Sequence, residues 1–168
     1  MELNDYVGKS VIDLVTGRRG VCTGVVFWLY GCEHLRCVFK PRKNQFCVGP
    51  EVEYVHPHAV QVESGALDTH GFEIDYGVRD KYLGKEVRDK VSGFEGVCTG
   101  IIMTVYSSPM ANIDGKCHDN KDIPKKLMDI GRLEITGSGI SPEDTQGRDR
   151  EYTGGDVPAY GGAYEAVY

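Results

Sequence analysis

The chain has no apolar run close to the roughly 20 residues that a membrane-spanning helix needs. Its first five residues, Met1–Asp5, carry neither the basic nor the apolar segment of a secretory signal. Positive charge is not in excess either, because 19 Lys and Arg face 25 Asp and Glu, a net charge of −6. We therefore expect a chain that is made and folded in a host cytoplasm, and we expect it to bind neither a membrane nor nucleic acid.

Sequence signatures of common catalysts are missing as well. No GxxxxGK[ST] phosphate loop, GxSxG elbow or HExxH helix occurs. The six cysteines form no C-x-x-C, and Cys117 and His118 are adjacent rather than at ligand spacing, so reduced buried thiols fit better than a zinc site. The segment 56–58, His-Pro-His, is a weak metal candidate. We expect no enzyme activity, no catalytic residues, no metal and no cofactor, although catalytic partners that meet only in the fold stay open.

What the chain does have is an internal duplication. Residues 6–30 align without a gap on residues 82–106 at an offset of 76, and thirteen of the twenty-five positions are identical. Identity at that density and a fixed offset indicates two copies of one small module. Modules of this size bury little surface, so packing against the twin or a partner is expected.

Each copy has the pattern of a β-hairpin. Val11, Asp13 and Val15 recur every second residue, as do their equivalents Val87, Asp89 and Val91, which predicts one inward face of a strand. Two glycines three residues apart then predict a tight turn, and the glycine at position 24 or 100 predicts a bend in the second strand. The repeated aspartate is expected to cap backbone amides of the turn rather than to act as an acid or base.

Further strands follow in each copy. The first copy predicts strands at 35–39, 46–48, 52–55 and 58–63. The second copy predicts a long loop over 107–126, a helical turn over 125–130 and a closing strand at 133–135. The connector between them has apolar residues at 67, 72, 74 and 76, so we expect it to lie along the barrels.

The strand, glycine-rich turn and strand resemble the KOW-type element of SH3-like small barrels. More narrowly, both copies are similar to a group of short bacteriophage and prophage proteins with the pattern GKxVxDxVTGFxGxxTG. Residues 82–106 match that pattern closely, whereas the first copy has Arg18-Arg19 in place of Phe94-Glu95. The resemblance implies an all-β fold class: two tandem SH3-like barrels at 1–65 and 82–136, a connector at 66–81 and an extended C-terminal arm at 137–168.

The C-terminal arm differs in composition from the barrels. Each predicted barrel is neutral, with 7 basic against 7 acidic residues in 1–65 and 8 against 8 in 82–136, whereas 137–168 has 2 against 6. The arm is rich in glycine, and tyrosines punctuate it at Tyr152, Tyr160, Tyr164 and Tyr168. This composition is typical of an extended arm that docks aromatic side chains on another subunit, or of a disordered solubilising tail.

Differences between the copies predict a partner surface. Ile12 and Leu14 stand where the second copy has Arg88 and Lys90, and the single tryptophan, Trp28, is also in the first copy. Apolar side chains in an outward phase usually indicate an interface, although ordinary core variation is the alternative. The predicted partner-binding residues are therefore Ile12, Leu14 and Trp28, with the four tyrosines of the arm.

Three functions fit these observations. The first is a non-enzymatic phage structural or accessory protein that joins neighbouring virion subunits, as a head decoration, cement or tail component, and that resides in the virion and forms homo-oligomers. The second is a counter-defence protein that binds a host factor or sequesters a nucleotide signal through basic residues at 18–19, 40–43 and 125–126. The third, RNA binding, rests on likeness to KOW barrels alone.

Overall fold

The computed structural model describes residues 2–41, 50–116 and 123–141. Over these residues the chain is all-β, with antiparallel ladders and one short α-helix. The first five strands are β1 Lys9–Asp13, β2 Arg19–Trp28, β3 His34–Phe39, β4 Glu51–Val55 and β5 Val60–Gly65. The helix α1, Tyr76–Tyr82, precedes β6 Glu86–Asp89, β7 Glu95–Thr104, β8 Ser107–Gly115, β9 Lys125–Asp129 and β10 Leu133–Gly137. Short 3₁₀ helices are formed by Leu3–Asp5, Pro57–Ala59 and Ile130–Arg132.

The first hairpin forms as its sequence predicts, with one correction. Val11 and Asp13 point inward and are buried, and Gly17 supplies the positive φ of the turn, +70°. Val15 was expected on the inward face, but 83% of it is exposed. The reason is that β1 ends at Asp13, whose carbonyl accepts the amide of Gly17 and whose carboxylate accepts the amide of Val15. The inward placement predicted for Val91 in the second copy is wrong for the same reason.

The predicted bend in the second strand is confirmed. The register of β2 against β3 shifts between Cys22 and Gly24, and that of β7 against β8 shifts between Cys98 and Gly100. A Cβ atom on Gly24 would lie 2.1 Å from the carbonyl oxygen of Met103 in the neighbouring strand. Glycine is therefore required here by the close approach of two backbones.

The two halves of the chain have the same pairing. In each half the first strand pairs with the second and the fifth, the second with the third, and the third with the fourth. Equivalent residues differ by 76 through the third strand: Val38 pairs with Val21 as Asp114 pairs with Val97. From the fourth strand the difference is 73, so that Val60 corresponds to Leu133. The two halves thus share a register as well as an order of strands.

The halves are joined by antiparallel pairing of β2 with β7, centred on Val26 and Ile102. These two residues are equivalents, since 26 + 76 = 102. On either side, Gly24 pairs with Thr104 and Trp28 pairs with Gly100. The offset of 76 converts one pair into the other, because Gly24 is equivalent to Gly100 and Trp28 to Thr104. A local pseudo-twofold axis therefore passes between Val26 and Ile102, and six strands in the order β4-β3-β2-β7-β8-β9 form one continuous sheet.

One contiguous cluster of buried side chains draws on both halves and lies on one face of this shared sheet. The connector packs on it, as predicted, through Phe72 and Ile74. The helix α1, which the sequence did not predict, follows Asp75, whose carboxylate accepts the amide of Val78 as an N-cap. The predicted boundaries at 65, 81 and 136 fall at or near the ends of β5, α1 and β10 and stay a prediction as domain limits.

Two expectations for the second half are wrong. Residues 107–115 form the strand β8 instead of a loop, because β8 is paired on both sides, with β7 and with β9. Residues 125–129 form β9 instead of a helical turn, and a 3₁₀ helix begins only at Ile130. The strand predicted at 46–48 lies outside the described residues, as does almost all of the predicted arm.

Candidate binding surface

The outer face of the shared sheet is the face turned away from the main core. Alternation along β2 and β7 places Val25 and Met103 in the core and Val26 and Ile102 on the outer face. Val26 is nevertheless 0% exposed and Ile102 only 6%. Their neighbours on that face therefore enclose them, and the pseudo-twofold axis runs through a second, small apolar centre.

Trp28 is the largest side chain beside this centre. Its ring lies over Gly100, where an added Cβ would be 2.7 Å from the indole Cζ3. The ring of Tyr54 meets it edge to face, with centroids 5.9 Å apart. At the equivalent place on the other side of the axis Thr104 pairs with Gly24, so the aromatic pair belongs to the first half alone.

The predicted partner residues of the first copy lie in three different settings. Ile12 is half-buried between Arg19 and Gln61 on neighbouring strands, and Leu14 is 58% exposed just beyond the end of β1. Trp28 is half-buried on the outer face. The structure thus does not gather them into one patch around Trp28. The four arm residues, Tyr152, Tyr160, Tyr164 and Tyr168, lie outside the described residues.

Sequence reasoning missed two pairs of exposed apolar residues that are identical in both copies. Val15 and Val91 occupy the tips of the two β-hairpins and are 83% and 76% exposed. Tyr30 and Tyr106 follow the ends of β2 and β7 and are 52% and 68% exposed. Most of the other identical positions have a structural reason, such as burial, a turn or a cap. The sequence signal for these residues was their identity in both copies at exposed positions, where packing does not require a particular side chain.

The repeated aspartates act as predicted, as caps. Asp13 accepts the amide of Val15, and Asp89 accepts the amides of Val91 and Ser92. Asp89 has an additional partner, Arg132, whose guanidinium donates to both carboxylate oxygens over 3.0 and 2.6 Å. These bonds, followed by that from the Ser92 hydroxyl, hold the pKa of Asp89 well below its usual range. A carboxylate held ionised and fully engaged in this way is a poor general base.

Four of the basic residues proposed as phosphate contacts, at 18, 19, 125 and 126, contact other side chains of the chain, and those at 42 and 43 lie outside the described residues. Arg18 forms ion pairs with Glu51 and Glu53, and its guanidinium lies 4.9 Å from the ring centroid of Phe39. Arg19 pairs with Glu63 over 3.2 Å. In the second half the ammonium of Lys126 lies 4.5 Å from the centroid of the Phe94 ring. These side chains serve the packing of the strands beneath each hairpin.

The described cysteines are free thiols. Cys22 and Cys98 are fully buried core residues, as predicted, and Cys37 lies opposite Cys22 across β2 and β3. Burial raises the pKa of Cys98 to about 12, and the adjacent Cys22 together with burial raises that of Cys37. Cys32 is exposed in the turn before β3. Cys37 and Cys98 are thus poor nucleophiles near neutral pH.

Across residues 2–41, 50–116 and 123–141, no helix has the length and apolar character needed to cross a membrane. Comparisons with models of protein families, with curated proteins and with solved structures found no match to this chain.

Proposed function

We propose that this chain is a non-enzymatic bacteriophage structural or accessory protein that binds neighbouring protein subunits of the virion. Its halves would act as two SH3-like barrels of KOW type, fused through their second strands. In this account the exposed hairpin tips and turn tyrosines contact the partner, and the chain serves as a head decoration, a cement protein or a tail component.

The SH3-like assignment rests on the element order. Each half has four strands, a 3₁₀ helix and a fifth strand that returns to the first, which is typical of such barrels. The long, bulged second strand of each half pairs with the first strand before the bend and with the third strand along its length. In the described residues the ladders do not close, because β4 pairs with β3 alone and β5 with β1 alone.

One observation carries the binding function: Val15, Val91, Tyr30 and Tyr106 are exposed and identical in both copies. An exposed valine at a hairpin tip contributes almost nothing to folding, since it buries little apolar area. Retaining it twice, while neighbouring Leu14 and Lys90 diverge, is the pattern expected of a contact residue. The likeness to phage proteins in the repeated pattern supplies the proposed biological setting.

The proposal is tested by incorporation into particles. Virions purified from a host that carries this gene are expected to contain the protein by mass spectrometry, and the double substitution Val15→Asp and Val91→Asp is expected to reduce that amount several-fold with little change in Tm. The matched control is Ala66→Asp with Thr136→Asp, at exposed positions outside the hairpin tips that are not predicted to bind the partner. Repeated absence of the wild-type protein from purified particles, or equal incorporation of the two double variants, would contradict the proposal.

A further inference from the structure

Two buried thiols face each other across the second and third strands of the first half. The register of β2 against β3 pairs Cys22 directly with Cys37, just before the shift in register that ends at Gly24. Both side chains are 0% exposed and belong to the main core, and both are free thiols. Two nucleophilic groups that the candidate binding surface does not use are therefore adjacent inside the fold.

The backbone places this pair at a spacing that suits a disulfide. The carbonyl of Cys22 accepts the amide of Gly8, which precedes β1, so the backbone of Cys22 bonds on the side away from β3. Cys22 and Cys37 thus form a non-hydrogen-bonded pair, and the Cα atoms of such pairs lie about 4.5 Å apart. A disulfide needs a Cα separation of roughly 4.4–6.8 Å, so the paired strands already have the spacing that the bond requires.

Contact between the two thiols makes their reactivities unequal. Hydrogen bonding from the thiol of Cys37 lowers the pKa of Cys22, against the opposing effect of burial. The same interaction, followed by burial, raises the pKa of Cys37. Because the thiolate is the reactive form of cysteine, Cys22 is expected to react first and Cys37 to follow.

We propose that a hydroperoxide converts Cys22 and Cys37 into a cross-strand disulfide, which makes this pair a covalent modification site of the first half. Hydrogen peroxide is close to water in size, so a brief local opening of the strands is enough to admit it to the buried pair. The proposal is independent of the virion function.

The reaction balances with the peroxide as the only co-reactant. The Cys22 thiolate attacks one oxygen of the peroxide, the O–O bond breaks, and the leaving hydroxide takes up the proton that Cys22 gave up and becomes water. The sulfur of Cys22 is then a sulfenic acid. The Cys37 thiol attacks that sulfur, the S–O bond breaks, and a second water leaves with the Cys37 proton. The pair of thiols loses two electrons and two protons, and the peroxide is reduced to water.

The second half contains a natural control for this site. Cys98 is equivalent to Cys22, and its carbonyl accepts the amide of Gly84 as that of Cys22 accepts the amide of Gly8. Its partner across the strands is Ile113 instead of a cysteine, and burial raises the pKa of Cys98 to about 12. The backbone is therefore alike in the two halves, and the second thiol belongs to the first half.

The test is oxidation of the folded full chain of Cys32→Ser with hydrogen peroxide, followed by alkylation in denaturant, digestion with trypsin and mass spectrometry. The substitution is needed because Cys22 and Cys32 share the tryptic peptide 20–36, whereas Cys37 lies in the peptide 37–42. These two peptides are expected to be joined by a bond that dithiothreitol breaks. Cys98 is expected to be recovered in its alkylated form.

Two further variants test whether the register is responsible. Adding Ile113→Cys to Cys32→Ser recreates the thiol pair in the second half, and both cysteines of the tryptic peptide 91–116 are expected to escape alkylation after oxidation. Adding Cys37→Ile instead reproduces the pair of the second half, and no bond to Cys22 is expected. Circular dichroism checks that each variant is folded. No joined peptide from folded Cys32→Ser, a joined peptide only after unfolding in urea, or attachment of the peptide 37–42 to a cysteine other than Cys22 would overturn the proposal.

Discussion

The space beneath the first-strand hairpin is filled in two different ways in the two halves. In the first half Arg18 covers the ring of Phe39 and pairs with Glu51 and Glu53 on β4. In the second half Phe94 stands at the position equivalent to Arg18, and Gly115 stands at the position equivalent to Phe39. The Phe94 ring fills the space that the Phe39 ring fills in the first half, since an added Cβ on Gly115 would lie 2.7 Å from Phe94 Cζ.

The third position of this site changes with the other two. Glu53 corresponds to Lys126, and the acidic partner of Arg18 is replaced by an ammonium that lies over the Phe94 ring. One aromatic ring and one cation are therefore present in both halves but at different positions. The ring comes from the third strand in the first half and from the hairpin turn in the second, and the cation comes from the hairpin turn in the first half and from the fourth strand in the second. The comparison teaches that the shared backbone register, rather than any single contact, was retained after duplication.

The largest expected effect tests the two bend glycines. A Cβ on Gly24 meets the carbonyl oxygen of Met103 at 2.1 Å, whereas on Gly100 it meets the indole ring of Trp28. The paired backbone beside Gly24 cannot move away from an added methyl group, whereas the Trp28 side chain beside Gly100 can rotate to accommodate one. We expect Gly24→Ala to lower the free energy of unfolding by about 3 kcal/mol or more, and Gly100→Ala by about 1–2 kcal/mol. Urea unfolding followed by circular dichroism measures both, and equal losses would contradict the close approach at Gly24.

The next contrast concerns the two capping aspartates. The guanidinium of Arg132 bonds to the carboxylate of Asp89, whereas the equivalent position in the first half is Ala59. The equivalence is shown by the backbone, because the amide of Lys90 donates to the carbonyl of Arg132 as that of Leu14 donates to the carbonyl of Ala59. The pKa of Asp89 is lowered on folding, so the stability it gives is complete above its unfolded value near 4 and is lost as the pH falls through the lower folded value.

We therefore expect Arg132→Ala to lower Tm at pH 7 and to flatten the loss of Tm between about pH 5 and pH 2. Ala59→Arg offers Asp13 the same partner and is expected to steepen that loss. Thermal unfolding across this pH range provides the measurement. Parallel Tm curves for Arg132→Ala and wild type would show that Arg132 does not set the acid response.

An exchange of the site beneath the hairpin is expected to have an intermediate effect. Gly115→Phe alone should destabilise by about 1–3 kcal/mol, because its ring competes with Phe94. Adding Phe94→Arg recreates the pair found in the first half, and a coupling of about 1 kcal/mol or more is expected in a double-mutant cycle. Recovery should be incomplete until Lys126→Glu supplies the missing acid. Strict additivity of the first two substitutions would contradict the exchange.

The smallest effect is expected at the buried thiol pair. Cys37 faces Cys22 where Ile113 faces Cys98, so Cys37→Ile imports a pair that the other half already contains. The cost should lie at the lower end of the roughly 1–3 kcal/mol that overpacking gives, because the second half already accommodates Ile113 at the equivalent place. Chemical denaturation reports it, and a loss above about 2 kcal/mol would show that the two cores are packed less alike than their registers.

Sequence established the hairpins because their signals are local. The period of two around Val11, the turn glycine Gly17 and the bend at Gly24 lie within one copy, and identity between copies doubled each signal. Strand β8 was missed because Ser107, Ser108 and Pro109 indicate a loop, although they directly follow β7 and pair back onto it. β3 pairs with β2 in the same register as β8 pairs with β7, although equivalent residues of β3 and β8 are never identical. Sequence alignment of the two copies therefore does not detect this equivalence.

The candidate surface was harder to predict than the fold. Pairing between Val26 and Ile102 joins residues 76 apart, and nothing in either copy states that β2 pairs with its own twin. Val15 fitted the strand period but lies beyond the strand, since the cap at Asp13 ends the ladder. The approach of Cys22 to Cys37 likewise depends on the β2–β3 register. Such contacts are properties of the assembled sheet rather than of a local pattern.

The pseudo-twofold junction is tested most directly by nuclear Overhauser spectroscopy across β2 and β7. The amide of Leu29 bonds to the Thr99 carbonyl and that of Val105 to the Thr23 carbonyl, so Val26 and Ile102 form a non-hydrogen-bonded pair with closely spaced α-protons. A strong cross-peak between these two α-protons is expected, flanked by matching peaks for Gly24 with Thr104 and Trp28 with Gly100. Absence of all three peaks in the assigned, folded protein would contradict the fusion of the halves through their second strands.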